Sequence, residues 1–200
     1  MSPLTGSYFT SWAFFDACVG KKRETIGTII LALSKPLGLD PQLVGALTEM
    51  QASRMGLYVH EGHRERFVVL RELVTDEVVE SLVSAGYRGK RGEVWLVRVH
   101  PPPVPPAGYS VVFTTPYVIL EPGLAEWKAY LRRTLPKIGV DDEVSAYENL
   151  MKYGLGRNYW NEYIFEAYVN HQHDAVFLMG LPDVEESRPH SRTGYWSREE

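Results

Sequence analysis

A chain of 200 residues, of which 44% are hydrophobic and 23% are charged, has the size and composition of one globular domain with a buried core. Its formal net charge of -4 argues against a general nucleic-acid binder, and no apolar run approaches the roughly 20 residues that a membrane-spanning helix needs. Cys18 is the single cysteine and no basic leader precedes the first apolar stretch, so we expect a soluble, cytoplasmic protein of bacterial type.

The first quarter of the chain has helical patterns, which predict helices between residues 8 and 54. Aromatic residues crowd positions 8–19, as in a short buried helix. Isoleucine and leucine then recur at helical spacing up to Pro36, which ends that pattern. Asp40 followed by Pro41 is typical of a helix N-cap with proline in the first turn, so a third helix is expected to begin there.

The pattern changes in the middle of the chain, where strand-like segments follow one another over residues 57–120. Residues 67–70 are continuously apolar, which predicts a strand buried on both faces. Residues 75–77 have turn composition and lead into the apolar run 78–83, which predicts a hairpin. Because no helix separates these segments, they predict a central antiparallel sheet or a small, partly closed barrel.

Helical spacing returns in the last third, and we predict helices over 124–170, the last of them with one aromatic-rich stripe. The short apolar run 175–179 predicts a late strand. Residues 182–200 are polar and predict a loosely held tail. The sequence therefore predicts a single α+β domain, residues 1–181, in which helices at both ends flank the central strands.

The sharpest cluster of potential metal ligands lies after the last predicted helix. His171 and His173 are two residues apart, so in an extended segment both imidazoles point to the same face. Together with Asp174, and with Glu166 nearby, they could begin a divalent-metal site. The alternative is a helix end, where histidine commonly pairs with the last carbonyl groups.

Other potentially reactive groups have more ordinary interpretations. Glu162 and Glu166 are four residues apart on the polar side of a predicted helix, which is typical of a solvated face. His60 and His63 are expected at an exposed hairpin tip. Cys18 lies in an apolar segment, where cysteine usually packs as a small hydrophobe. No phosphate-binding glycine motif occurs, so no nucleotide cofactor is predicted.

A glycine-punctuated basic loop occupies residues 86–92. Arg88, Lys90 and Arg91 could contact phosphate there, and aromatic side chains such as Trp95 could stack on the bases of a single strand. The alternative is an ordinary solvated hairpin loop, which the acidic total favours. Nucleic acid is therefore not the expected partner.

A proline-rich arm follows the strand that ends at His100. Proline lacks the N–H that a sheet ladder needs, so this segment is expected to be an extended surface arm that a partner's aromatic groove could bind. The alternative is a stiff connector that packs on its own domain. The prolines are Pro101, Pro102, Pro103, Pro105 and Pro106.

Three functions follow from these features. The first is a non-catalytic interaction or accessory module without a cofactor, which binds a protein partner or a second copy of itself. The second is a small metal-assisted hydrolase that uses His171, His173 and Asp174. The third is a single-stranded nucleic-acid binder that uses the basic loop, residues 86–92.

Overall fold

The computed structural model describes residues 2–101, 108–155 and 161–182, and these contain six helices and eight strands. The predicted α+β architecture is confirmed, because a mixed sheet lies between helices that precede it and helices that follow most of its strands. The helices are α1 (Gly6–Phe15), α2 (Ile26–Ala32), α3 (Pro41–Ala52), α4 (Leu124–Thr134), α5 (Glu143–Tyr153) and α6 (Asn161–Ala167), with a 3₁₀ turn at Leu135–Ile138. The strands are β1 (Met55–Arg64), β2 (Phe67–Glu72), β3 (Val78–Val83), β4 (Val94–His100), β5 (Ser110–Val112), β6 (Tyr117–Glu121), β7 (Tyr168–His171) and β8 (Val176–Met179).

Local capping chemistry sets where the helices begin. The Asp40 carboxylate accepts a hydrogen bond from the Gln42 amide at 2.7 Å, with Pro41 in the first turn, as the sequence predicts. Asp142 caps α5 in the same way, accepting from the Ser145 amide at 2.8 Å. Each of these caps satisfies amide groups that a helix cannot pair internally, so a side chain at the helix start stabilises that start.

Five strands form a closed circuit of backbone pairing, in the order β1, β2, β3, β5 and β4, with β4 returning to β1. The sheet then continues from β4 through β6 and β8 to β7. It is mixed and not wholly antiparallel, because β3 pairs with β5 and β6 pairs with β8 in parallel. The second parallel pair is possible because helices α4 to α6 lie between β6 and β8 in the chain.

The two faces of the sheet bury separate cores, and β4 contributes to both. Leu96 packs with the helices α4 to α6, including the wholly buried Trp127 and Tyr147. Its neighbours Trp95 and Val97 pack on the opposite face, inside the circuit of five strands. Successive residues of a strand point to opposite faces, so β4, with both faces covered, is apolar at every position from Val94 to Val97.

Gln51, near the end of α3, ties the N-terminal helices to the rest of the molecule. Its side-chain amide donates to the Phe15 carbonyl at 2.9 Å and accepts from the Thr25 hydroxyl at 2.8 Å. The backbone carbonyl of Gln51 accepts a hydrogen bond from the side chain of Lys152 in α5 at 2.9 Å. Gly27 leaves the space that Gln51 occupies, since a Cβ at Gly27 would collide with the Gln51 side chain and come within 3.0 Å of the Phe15 ring.

Two secondary-structure predictions are wrong in part. The sequence predicts a last helix that reaches residue 170, but the helix ends at Ala167 and the next residues form β7, which pairs with β8. The expectation for 156–160 lies outside the described residues. In β2, alternate side chains from Val68 onward are buried while Phe67 and Val69 are half-buried, so this strand is not buried on both faces. In both cases the elements that pack or pair with the segment, and not its local hydrophobic pattern, decide its secondary structure or its burial.

Candidate interaction surface

Helices α2 and α3 carry apolar side chains that the fold leaves in contact with solvent. Seven of the fifteen large hydrophobic residues exposed in the described chain lie within its first 43 positions. Helix α3 has no buried residue, and α2 buries only Gly27. We define the α2–α3 surface by the exposed apolar side chains of these helices and the turn between them: Ile26 (39% exposed), Leu33 (47%), Leu37 (58%) and Leu43 (48%).

The α2–α3 surface also has almost no charge. Between residues 25 and 48 the charged residues are Lys35 and Asp40, one of each sign. An exposed helix pair of a monomer normally carries a charged outer face that keeps it soluble. An exposed apolar patch without such charges is typical of a protein-protein contact.

The sequence contains a signal for this surface that periodicity does not capture. The apolar positions of α3 form one stripe, which suggests a face that is buried against the protein's own core. A stretch of 24 residues with only two charged side chains, however, has no charged face to present to water on the other side. The low charge of residues 25–48 therefore corresponds to a helix pair whose exposed side carries few charges.

At the C-terminal end of α1, where Asp16 is the C-cap, an ion cluster joins residues that are far apart in sequence. Arg98 is completely buried, and its guanidinium Nη2 contacts the carboxylate Oδ2 of Asp16. Lys152 lies 3.9 Å from the other carboxylate oxygen. Burial raises the pKa of Asp16, while Arg98 and Lys152 oppose that rise by stabilising the ionised form. Among the described residues the cluster contains two cations, Arg98 and Lys152, and one carboxylate, Asp16.

His100 lies next to this cluster, buried at the end of β4. Neither of its ring nitrogens has a hydrogen-bond partner among the residues that the structure describes. Burial, together with the charge of Arg98, lowers the pKa of His100 from 6.5 to about 4. The folded protein therefore holds this imidazole in its neutral form at pH values where an exposed histidine would be protonated.

Acid is expected to destabilise the fold through His100. Between pH 6.5 and about 4 the unfolded chain binds a proton at this position that the folded chain does not, so stability falls with pH across that window. The full loss is about 3 kcal/mol. Urea unfolding of the protein and of His100→Leu from pH 7.5 to 4.5 measures the difference. His173→Ala is the control, because the side chain of His173 is 91% exposed. If the free energy of unfolding falls by the same amount in the wild type and in His100→Leu over this pH range, the loss does not come from His100.

The prediction of a solvated hairpin tip at His60 is wrong. Strand β1 continues to Arg64, and His60 is completely buried. Its Nε2 lies 2.9 Å from the carbonyl oxygen of Arg88, and the Nε2 of His63 lies 2.8 Å from the same oxygen. The Gly62 amide donates a hydrogen bond to Nδ1 of His60. Because both histidines contact the Arg88 carbonyl, they hold the basic loop against β1. Burial lowers the pKa of His60.

The basic loop, residues 86–92, is tied to its own domain by several contacts. The Arg88 guanidinium donates to the Glu65 carbonyl at 3.1 Å, and that of Arg91 lies 4.0 Å from the Glu61 carboxylate. Trp95 is completely buried and donates to the carboxylate of Glu93, so it cannot stack on a nucleic-acid base as proposed from the sequence. Nucleic-acid binding by this loop stays an untested hypothesis.

The proposed metal ligands do not form a cluster in the described structure. His171 is the last residue of β7, while His173 lies in a bend beyond it and is exposed. His173 Nδ1 lies 3.6 Å from the Asp174 carboxylate. Within residues 2–101, 108–155 and 161–182 no group of three or more histidine, cysteine, aspartate or glutamate side chains could hold a metal ion. The metal-assisted hydrolase stays a hypothesis without geometric support.

The remaining candidate residues lie in separate places. Glu162 and Glu166 are on the exposed side of α6, as expected. Cys18 is half-buried in the segment after α1. Of the proline arm, Pro101 is half-buried just after β4, and the rest lies outside the described residues. No part of the described structure therefore tests that arm as a docking segment.

Two general findings bear on function. None of the helices in the described ranges combines the length and the apolar character that a bilayer crossing requires. Comparison of the chain with protein-family models, with curated proteins and with solved structures gives no match. The physical properties of the surfaces are thus the basis for any functional conclusion.

Proposed function

We propose that the protein is a non-catalytic interaction module that self-associates, with the α2–α3 surface of one copy packing against the same surface of a second copy. The observation that carries this proposal is the set of exposed aliphatic side chains on α2, α3 and their connecting turn. Covering them removes apolar area from water, which is the main driving force of stable protein association.

The charge of the surface favours a second copy over a charged partner. Lys35 and Asp40 balance each other, so the surface attracts neither polyanions nor strongly basic proteins. In a two-fold dimer the same patch meets itself, which requires a surface that is apolar or carries both signs of charge. The α2–α3 surface satisfies both conditions.

The position of the surface also suits an interface. Gln51 holds α3 to α1, α2 and α5 through its side-chain amide and its carbonyl. The helices are therefore presented to solvent in a fixed arrangement, and little conformational entropy is lost when a second copy binds. A rigid, uncharged and exposed pair of helices resembles half of a helical bundle that a second pair would complete.

Self-association is expected to fail when charge is placed on the α2–α3 surface. Leu37 and Leu43 are 58% and 48% exposed, so Leu37→Glu with Leu43→Glu adds four carboxylates to a symmetric interface without disturbing the core. A central contact residue contributes about 2 kcal/mol, so the dimer dissociation constant is expected to rise at least about 100-fold. Sedimentation equilibrium over a range of protein concentrations measures the change.

The matched control is Phe165→Glu. Phe165 is also on a helix and 51% exposed, but it lies on α6, outside the proposed interface. This variant is expected to dimerise like the wild type. A wild-type chain that sediments as a monomer up to millimolar concentration, or a Leu37→Glu/Leu43→Glu variant that dimerises as tightly as Phe165→Glu, would overturn the proposal.

A further inference from the structure

Arg98 and Lys152 approach the same carboxylate from two different elements. Arg98 belongs to β4 and Lys152 to α5, while Asp16 is the C-cap residue of α1. The Arg98 Nη2 contacts one carboxylate oxygen of Asp16, and Lys152 Nζ lies 3.9 Å from the other. Lys152 also donates to the Gln51 carbonyl, which uses one of its three N–H groups. β4 and α5 therefore provide two cations, and α1 provides the anion between them.

The Asp16 carboxylate leaves much of the Arg98 guanidinium unpaired. Nε and Nη1 of Arg98 are buried and have no hydrogen-bond partner among the described residues. His100 follows two positions later on the same face of β4, and both of its ring nitrogens are buried without a partner there as well. Buried polar groups are normally paired, so several unpaired ones in one place point to a ligand that would pair with them.

The backbone of α1 limits how Asp16 can contact Arg98. Its carboxylate contacts a single guanidinium nitrogen, whereas a free carboxylate can turn and accept two parallel N–H bonds from an arginine. Asp16 has the advantage of its attachment to α1, which gives its carboxylate a high effective concentration at the site. The two cations therefore suit the carboxylate of a ligand better than the tethered carboxylate that lies between them.

Few apolar contacts hold α1 against the rest of the domain. Among the described residues before β1, Tyr8 is the one buried member of the core under α4 to α6, and Leu4 and Trp12 pack at its edge. The hydroxyl of Ser11, on the buried side of α1, has no partner in the part of the chain that the structure describes. A helix with such limited apolar attachment can move away in a minor, locally opened state.

We propose that Arg98 and Lys152 form a binding site for a small carboxylate, and that Asp16 closes this site as an internal competitor. When α1 moves away, the carboxylate of the ligand takes the place of Asp16 between the two cations, and His100 lies beside it as a further hydrogen-bonding group. The site uses none of the exposed side chains of the α2–α3 surface. Its test therefore does not depend on self-association.

The first test supplies the carboxylate from solution after Asp16 has been shortened. Asp16→Ala removes the internal carboxylate and leaves space of that size between Arg98 and Lys152. Sodium formate at about 100 mM, for a weak site with a dissociation constant of about 10 mM, is expected to lower the unfolding equilibrium constant of this variant about 10-fold relative to sodium chloride. Urea unfolding at neutral pH measures the difference. Asp16→Ser, which keeps a small polar group next to Arg98, is the second variant for the same measurement.

Two controls separate a specific site from a general salt effect. Asp16→Leu/Arg98→Met has no guanidinium to receive formate, so the two salts are expected to act alike. Glu72→Gln weakens another buried ion pair without opening space, and it is also expected to respond equally to both salts. The proposal is overturned if formate stabilises neither Asp16→Ala nor Asp16→Ser more than chloride does, or if it stabilises the controls to the same extent.

The second test detects competition with Asp16 in the wild type. Formate at the same concentration is expected to speed amide hydrogen exchange in α1, residues 6–15, about 10-fold, because it binds the opened state and an isolated helix of this length is marginal in water. Exchange in β2, which pairs with β1 and β3, is the internal control and is expected to stay unchanged. Equal exchange of α1 in formate and in chloride would show that external carboxylates do not compete with Asp16, and the proposal would fall.

Discussion

Replacing Asp16 with alanine is expected to lower the free energy of unfolding by about 3 to 5 kcal/mol, because it removes the only carboxylate that pairs with the buried Arg98 guanidinium among the described residues. Two nitrogens of Arg98, Nε and Nη1, already have no hydrogen-bond partner among the described residues. The substitution would add a third unpaired group to a side chain that is completely enclosed. Urea unfolding at neutral pH measures the loss.

The double variant Asp16→Leu/Arg98→Met shows whether the unpaired charge or the lost side-chain volume causes the destabilisation of Asp16→Ala. Both replacements are apolar and remove the charges together, so most of the stability lost in Asp16→Ala is expected to return. The non-additivity of the single and double changes gives the coupling energy of the pair. Equal destabilisation by the single and the double variant would contradict the view that the unpaired charge, and not the missing side-chain volume, is the cause.

The fold was predictable wherever local chemistry decides it. The cap at Asp40, the hairpin between β2 and β3, and the strand β3 over 78–83 all depend on residues within a few positions of one another. The closed circuit of strands depends instead on β3 pairing with β5 and on β4 pairing with β1, which bring together segments that other strands separate in the chain. Periodicity describes one strand at a time, so it suggests a partly closed barrel without specifying these pairings.

The sites were less predictable, because their residues are distant in sequence. Arg98 and Asp16 are 82 positions apart, and nothing near either residue indicates the pair. The sequence-based candidates were short clusters such as His171 to Asp174, where proximity in sequence produced no cluster of ligands in the described structure. The proposed interface is the exception, since the low charge of residues 25–48 is visible in the sequence itself.

Replacing Glu72 with glutamine is expected to cost about 3 kcal/mol, because Glu72 neutralises Arg54 where the sheet meets α5. Arg54 donates to both carboxylate oxygens, at 2.6 and 3.1 Å, and its guanidinium lies 4.7 Å from the centre of the Tyr147 ring. The Thr75 hydroxyl donates to Glu72 at 2.7 Å. The side chains of Arg54 and Glu72 are 13% and 3% exposed, so water cannot replace the lost carboxylate charge.

The chain contains its own control for this prediction. Arg64 and Glu80 form a similar ion pair between β1 and β3, but their side chains are 70% and 31% exposed. Glu80→Gln is expected to cost less than about 1 kcal/mol, since solvent screens exposed pairs. Urea unfolding of both variants at two salt concentrations separates the cases: salt should weaken the effect of Glu80→Gln and leave that of Glu72→Gln almost unchanged. A Glu72→Gln variant that is no less stable than Glu80→Gln would mean that the buried pair does not hold the sheet to α5.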